Sequence, residues 1–144
     1  MDKYSFEIME IRHFDEVATL WKEELGLSPN DKRDSISAYL TRNENMSYIC
    51  KSDPGNEVIG AVLAGHDGRH GYIYHLAVKK DHRRKGIASQ LVNLSRTALQ
   101  KEGILRINIG IISGSTEAEV FWKRSGWRKL ENLNFYSYYP DDLK

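Results

Sequence analysis

The run Leu76-Ala77-Val78-Lys79-Lys80-Asp81-His82-Arg83-Arg84-Lys85-Gly86-Ile87-Ala88-Ser89 concentrates more usable chemistry than any other part of the chain. An apolar stretch of strand character enters a basic loop, and the loop enters a helical pattern whose first turn holds small residues. The first amides of a helix lack intrahelical acceptors and point outward, and the helix dipole favours an anion there by about 0.3–1 kcal/mol. Gly86 and Ala88 let main chain approach a ligand closely. Arg83, Arg84 and Lys85 add positive charge, a contribution that salt weakens. Together these features suit a phosphate group. The loop is not a Walker A motif, because no Gly-x-x-x-x-Gly-Lys-Ser/Thr occurs, and Gly86-Ile87-Ala88 lacks the further glycines of a dinucleotide-binding turn. Basic loops are most often plain solvated surface, so charge alone does not decide the matter.

Overlapping the start of this run, Tyr72 to Lys79 reads as a strand. Regular alternation would place Tyr72, Tyr74 and Leu76 on one face and Ile73, His75 and Ala77 on the other. Imidazole titrates at about pH 6.5, a value suited to proton transfer, but alternation equally suits His75 to the core and places Tyr74 better. A tyrosine hydroxyl, near pH ~10, is a poor base without help. The lone Cys50 falls in an apolar strand with no base beside it and reads as core. His66, His70 and His82 do not fall at metal-ligand spacing with carboxylates, so no metal is expected.

The elements that must position these residues follow from periodicity. Phe6, Ile8 and Ile11 mark a first strand. Phe14, Val17, Ala18, Trp21 and Leu25 recur at helical spacing, with Gly26 as a stop. Residues 27–33 form a polar loop, and Ile36, Tyr39 and Leu40 mark a second helix. Strands are expected over 46–51, 58–64 and 72–79, with turns at Asp53-Pro54-Gly55-Asn56 and Asp67-Gly68-Arg69-His70-Gly71, the last two strands pairing as a hairpin. Ile87, Leu91, Leu94 and Ala98 predict a long helix opened by Gly86 and closing near Gly103. A strand follows over 104–112. Thr116 with Glu119 reads as a capping box for a helix burying Ala118, Phe121 and Trp122 and stopping at Gly126. The aromatic stretch with Phe135, Tyr136, Tyr138 and Tyr139 looks like closing β structure. The order predicts an α/β fold with a mixed sheet flanked by helices.

Composition bounds the rest. A chain of 144 residues is the size of one domain, so residues 1–144 are expected to form a single domain. Apolar residues make up 40% and charged residues 28%, as in globular proteins. Lys plus Arg number 21 against 20 for Asp plus Glu, a formal charge of +1, so no global pull toward nucleic acid or anionic lipid is expected. No apolar run approaches the ~18 residues of a membrane span, the start of the chain has no signal-peptide core, and one cysteine cannot form an internal disulfide. A cytoplasmic location is the simplest expectation.

Arg83-x-x-Gly86-x-Ala88, preceded by Leu76-Ala77-Val78, resembles the pyrophosphate-binding signature of the GNAT acetyltransferase superfamily, Arg/Gln-x-x-Gly-x-Gly/Ala. Downstream, Ala118-x-x-Phe121-Trp122-x-x-x-Gly126-Trp127 is similar to the same superfamily's Asn-x-x-Ala-x-x-Phe-Tyr-x-x-x-Gly-Phe segment. The predicted element order matches the GNAT fold over nearly the whole chain. Within the superfamily, Val62-Leu63-Ala64-Gly65-His66-Asp67-Gly68-Arg69-His70-Gly71 looks like the corresponding stretch of small bacterial YpeA-type members.

The resemblance implies an acetyl-CoA-dependent N-acetyltransferase acting on a primary amine, either a small molecule or a protein amine, by direct attack on the thioester. It implies that the main chain of Leu76, Ala77 and Val78 holds the pantetheine arm like an added strand. The loop Arg83, Arg84, Lys85, Gly86, Ile87, Ala88 and Ser89 would hold the pyrophosphate. Family members often carry a Glu or His on this strand to manage the amine proton, which makes His75 and Tyr74 the candidates beside a water relay. The family's Tyr after Phe, often the acid that protonates the leaving thiolate, is Trp122 here, and an indole cannot act as an acid. The family's Asn, which holds pantetheine or a water, is Ser115. By resemblance a homodimer is possible, and Glu23, Glu24, Asp31 and Asp34 lie where acids would attract a cationic acceptor.

Two other classes stay open. One is a GNAT-fold protein that binds or senses acyl-CoA with little turnover, motivated by Trp122. The other is nucleic-acid binding through residues 79–85, where five basic residues outweigh Asp81.

Overall fold

The computed structural model describes residues 3–26, 31–111 and 113–140. They fall into two compact units, Met1–Gly110 and Ile111–Lys144. The first unit holds a five-stranded sheet in the spatial order β1-β2-β3-β4-β5. Its strands are β1 (Lys3–Ile8), β2 (Tyr48–Asp53), β3 (Glu57–His66), β4 (Gly71–Val78) and β5 (Ile107–Ile109). The first four pair antiparallel, and β5 runs parallel to β4, so the sheet is mixed. Helices α1 (Phe14–Glu24), α2 (Arg33–Arg42) and α3 (Ile87–Lys101) complete this unit, and α4 (Thr116–Arg124) belongs to the second. No helix among the described residues is long and apolar enough to cross a membrane.

The sheet is covered on both faces, which explains why β3 is buried along nearly its whole length. One face meets α1 and α2 through a cluster containing Val17, Leu20, Trp21, Ile36, Ile49, Ala61 and Leu63. The other face meets α3: a methyl group added at Gly60 would touch Leu91 and Ile87. Along α3 the buried residues are Ile87, Leu91, Val92, Ser95 and Leu99, each large apolar member contributing about 1.5–3 kcal/mol by burial. The expected stripe holds at Ile87 and Leu91, whereas Leu94 and Ala98 are only half-buried because the face turned to the sheet lies one residue further along. Ser95 Oγ donates to the Met46 carbonyl at 2.7 Å, which fixes the helix against the entry to β2.

A β-bulge interrupts β4. Opposite β3 the register pairs Leu63 with Tyr74 and then Ala61 with Ala77, so β4 carries one residue more than its partner across this step. His75 absorbs the irregularity at φ +51, a left-handed conformation that costs a non-glycine residue about 1–3 kcal/mol. The regular alternation expected from sequence therefore stops at Tyr74.

Four expectations are corrected. The first strand ends at Ile8, and Ile11 begins a short 3-10 turn that leads into α1. The strand expected over 104–112 is only the three residues Ile107–Ile109, pairing β4 at Gly71, Tyr72 and Ile73. The cap of α4 is Ser115 rather than Thr116: its hydroxyl accepts from the Ala118 amide, and Thr116 is the first helical residue. Residues 127–140 contain no strand. Phe135, Tyr136 and Tyr138 are 74%, 96% and 91% exposed, so these aromatics carry β propensity without a pairing partner in their own unit. Propensity without a partner strand does not make a sheet. Within the loop expected at 27–33, residues 27–30 lie outside the described residues, and Arg33 is already helical.

Candidate functional site

The site is built outward from the two ends of β4. At its start β4 is paired on both sides, with β3 and with β5. Beyond Ile73 the ladder to β5 ends among the described residues and the β3 side alone stays paired, which leaves the edge from Tyr74 to Val78 released within this unit. The Lys79 amide donates to the Ile59 carbonyl at 2.7 Å, which fixes the edge Lys79 turns to β3. By alternation Ala77 shares that edge, and Leu76 and Val78 direct their main-chain groups to the released one. The Val78 carbonyl meets Arg83 Nε there at 3.0 Å. A free strand edge of this kind takes an extended, hydrogen-bonding ligand by strand addition.

Past Val78, a 3-10 turn over Lys80–His82 folds the chain back, and Tyr4 of β1 braces it through a 2.8 Å hydrogen bond between its hydroxyl and His82 Nδ1. Arg84 (φ +63) and Gly86 (φ +77) both take left-handed conformations, which swing the main chain into α3. Gly86 is the N-cap of α3 and offers no side chain to its amides. The first intrahelical bond runs from Gln90 N to Gly86 O at 3.1 Å, leaving Ile87, Ala88 and Ser89 as outward donors. A Cβ on Gly86 would meet nothing within 4 Å, so glycine is required there by conformation and not by crowding. Ala77, Val78 and Ile87 are buried and contribute main chain only, while Arg84, Lys85 and Ser89 are exposed. Lys85 Nζ stands 5.9 Å from the centre of the Tyr4 ring. Arg83 is engaged with protein groups, pairing with Glu24 at the end of α1 as well as with Val78.

At the bulge, side chains gather from distant segments. His75 Nε2 lies 2.7 Å from Asp31 Oδ1, and the carboxylate is almost fully buried. Trp21 Nε1 donates to the His75 carbonyl at 2.8 Å, and the two rings meet edge to face at 4.9 Å. Tyr74 is 43% exposed, stacks on Tyr72 at 6.1 Å and meets Tyr39 edge to face. Burial, followed by the neighbouring Tyr72 and Asp67, pushes the Tyr74 hydroxyl above its ordinary value. At neutral pH it is a hydrogen-bond donor and not a base.

The structure thus brings Tyr74, His75, Leu76, Ala77, Val78 and residues 83–89 into one continuous strand, loop and helix start. Ser115 and Trp122 lie in the second unit. Ser115 is occupied as the cap of α4, and Trp122 is buried in edge-to-face contact with Phe121 at 5.0 Å and Trp127 at 4.9 Å. Of the four acids expected to attract a cation, Asp31 and Glu24 are bonded to His75 and Arg83. Cys50 is fully buried, and burial pushes its thiol up to about 11. Among the described residues no group of three His, Cys, Asp or Glu is placed to hold a metal ion. Sequence reasoning missed Trp21 as a partner of His75, Glu24 as a partner of Arg83, and Tyr4 as a brace of the loop. Each contact spans more than fifty positions and leaves no local pattern.

A parted sheet whose released edge runs through a basic loop into an uncapped helix start defines the architecture of an acyl-CoA-dependent N-acyltransferase. Residues 11–127 match the acetyltransferase (GNAT) family, and the chain belongs to that family. An acetyltransferase of Sodalis glossinidius (strain morsitans) is 33% identical over 128 residues, covering 87% of this chain and 85% of the relative. Among solved structures, an aminoglycoside N-acetyltransferase, AAC(6')-Iy in complex with CoA, superposes with a TM-score of 0.78 at 17% identity, covering 96% of each chain. The NatC complex bound to Gag peptide and CoA gives a TM-score of 0.76 at 23% identity, over 90% of this chain and 87% of the other. At such identities the two solved structures speak for the fold.

Proposed function

We propose that this protein transfers the acetyl group of acetyl-CoA to a primary amine by direct attack, with residues 1–144 acting as one catalytic domain. The observation that carries the reading is the released edge of β4 leading into the uncapped amides of Ile87, Ala88 and Ser89. An extended arm ending in a diphosphate fits that donor set: strand-edge groups for the amides of the arm, helix amides with Arg84 and Lys85 for the phosphates. Acetyl-CoA supplies an activated acyl group on a thiol with a pKa near ~8.5, a tolerable leaving group even with Trp122 where an acid would stand. The family match runs from residue 11 to residue 127 across both compact units, which supports a single functional domain.

Amine attack requires a neutral nitrogen and a place for its second proton. His75 takes that proton, and Tyr74, held in its neutral form, donates a hydrogen bond beside it. Calorimetric titration with acetyl-CoA, CoA and ATP tests the donor site. Micromolar binding of both CoA species with little for ATP is expected, and no binding of either rejects the reading. An amine panel follows, spanning aminoglycosides and peptides because structurally similar proteins act on the first and are seen with the second. The alternative, a protein that binds acyl-CoA with little turnover, draws on the packing of Trp122 between Phe121 and Trp127. Acetylation of any amine at enzyme-like rates eliminates it.

A further inference from the structure

We infer that Asp31 is a positioning residue that fixes the tautomer and orientation of His75, with Trp21 holding the segment that carries it; this rests on the reading of His75 as the proton acceptor. A carboxylate can only accept a hydrogen bond, so the 2.7 Å contact between Asp31 Oδ1 and Nε2 requires the imidazole proton to sit on Nε2. The neutral ring then carries its lone pair on Nδ1, which has no hydrogen-bond partner among the described residues. Exposure divides the pair in the same sense. The Asp31 side chain is 4% exposed and the His75 side chain 29%, so the anchored end is dry and the ring remains open to solvent.

Trp21 acts on the same residue from another direction. Its indole N–H bonds the His75 carbonyl at 2.8 Å while its ring packs edge to face against the imidazole. One side chain therefore secures both the left-handed main chain at His75 and the plane of its ring. Tyr74 closes a further side, its ring centre 6.4 Å from that of the imidazole. A histidine serving only to fill space needs neither a buried carboxylate on one nitrogen nor an unpartnered nitrogen opposite. Asp31 also stands immediately before Lys32, the N-cap of α2, so the proton carrier is set by the segment entering that helix.

The test combines nitrogen-15 NMR of the imidazoles with steady-state kinetics on the amine identified by the panel. The wild type, Asp31→Asn, Asp31→Glu and His75→Gln are compared, and the last assigns the His75 signal by its loss. The wild type is expected to show neutral His75 protonated on Nε2. In Asp31→Asn the amide offers a donor and an acceptor alike, so that preference is lost. There kcat falls by about tenfold or more with KM for acetyl-CoA unchanged. Asp31→Glu restores part of both. An unchanged imidazole spectrum in Asp31→Asn, with kcat lost in His75→Gln, overturns the role of Asp31 and leaves His75 as the base. Full kcat in His75→Gln overturns the base reading and with it the catalytic half of this inference.

Discussion

Downstream of the bulge in β4, residues 76–89 build their part of the site from main chain: a released strand edge, two left-handed turns and the first amides of α3. Upstream of it, Tyr72, Tyr74 and His75 contribute side chains, and these are held by Trp21, Asp31 and Tyr39 from α1, the entry to α2 and α2 itself. A main-chain site tolerates wide change in residue type so long as conformation survives, and it reads one ligand shape. A side-chain site depends on each contact separately and can be altered one residue at a time. On the proposed function, donor binding falls to the fixed half of the strand and acceptor chemistry to the adjustable one.

The sharpest way to break that contrast is in the side-chain half. His75→Gln is expected to lower kcat by about 10²- to 10³-fold with CoA affinity little changed, as kinetics and calorimetry together would show. A loss of CoA binding instead would join the two halves into one. In the main-chain half, Gly86→Glu places a side chain at φ +77 and a negative charge at the phosphate donors. CoA affinity is expected to fall by roughly 10²-fold in calorimetry while the circular-dichroism spectrum stays native. Near-wild-type affinity in a folded Gly86→Glu protein would mean that the donor site has been misplaced.

Smaller changes refine the comparison. Arg83 is 41% exposed and pairs with Glu24, so Arg83→Ala is expected to cost at most about 1 kcal/mol of stability in denaturant titration. CoA affinity in that variant should drop less than in Gly86→Glu, since Arg83 braces the loop more than it meets the ligand. The mildest expectation concerns a residue remote from both halves. Burial holds the His13 imidazole below its ordinary value. Its Nδ1 accepts from the Glu10 amide at 3.0 Å, and Nε2 lies 3.1 Å from Glu7 Oε1, off the line of a hydrogen bond. The fold prefers neutral His13, so this stabilisation is complete above about pH 6.5 and is lost as pH falls through the lower folded value. Thermal melts between neutral and mildly acid pH should flatten in His13→Gln.

What the sequence disclosed follows the same division. Gly86 made the end of the basic loop and the start of α3 legible because a left-handed cap favours glycine. The α1 and α3 stripes and the β3–β4 hairpin were legible for the same reason, since period and turn chemistry are local. The His75–Asp31 contact was not, because it joins residues 44 positions apart and each alone is an ordinary polar residue. The bulge was equally silent: no glycine or proline marks it, and His75 is carried into positive φ by its surroundings. In the segment over 127–140 the aromatic residues spoke for strand while nothing local specified a partner.

That bulge gives β4 a change of parity. Before it, even-numbered Tyr72 and Tyr74 face away from buried Ile73; after it, Ala77 stands opposite Ala61 where an even-numbered residue would have stood. A deletion of one residue here would let β4 run as a regular strand from Tyr74 to Ala77 with its later partners on β3 unchanged. The left-handed residue whose carbonyl Trp21 holds would be lost instead. The ladder thus accommodates either count, whereas the grip of α1 on the main chain at His75 depends on the extra residue.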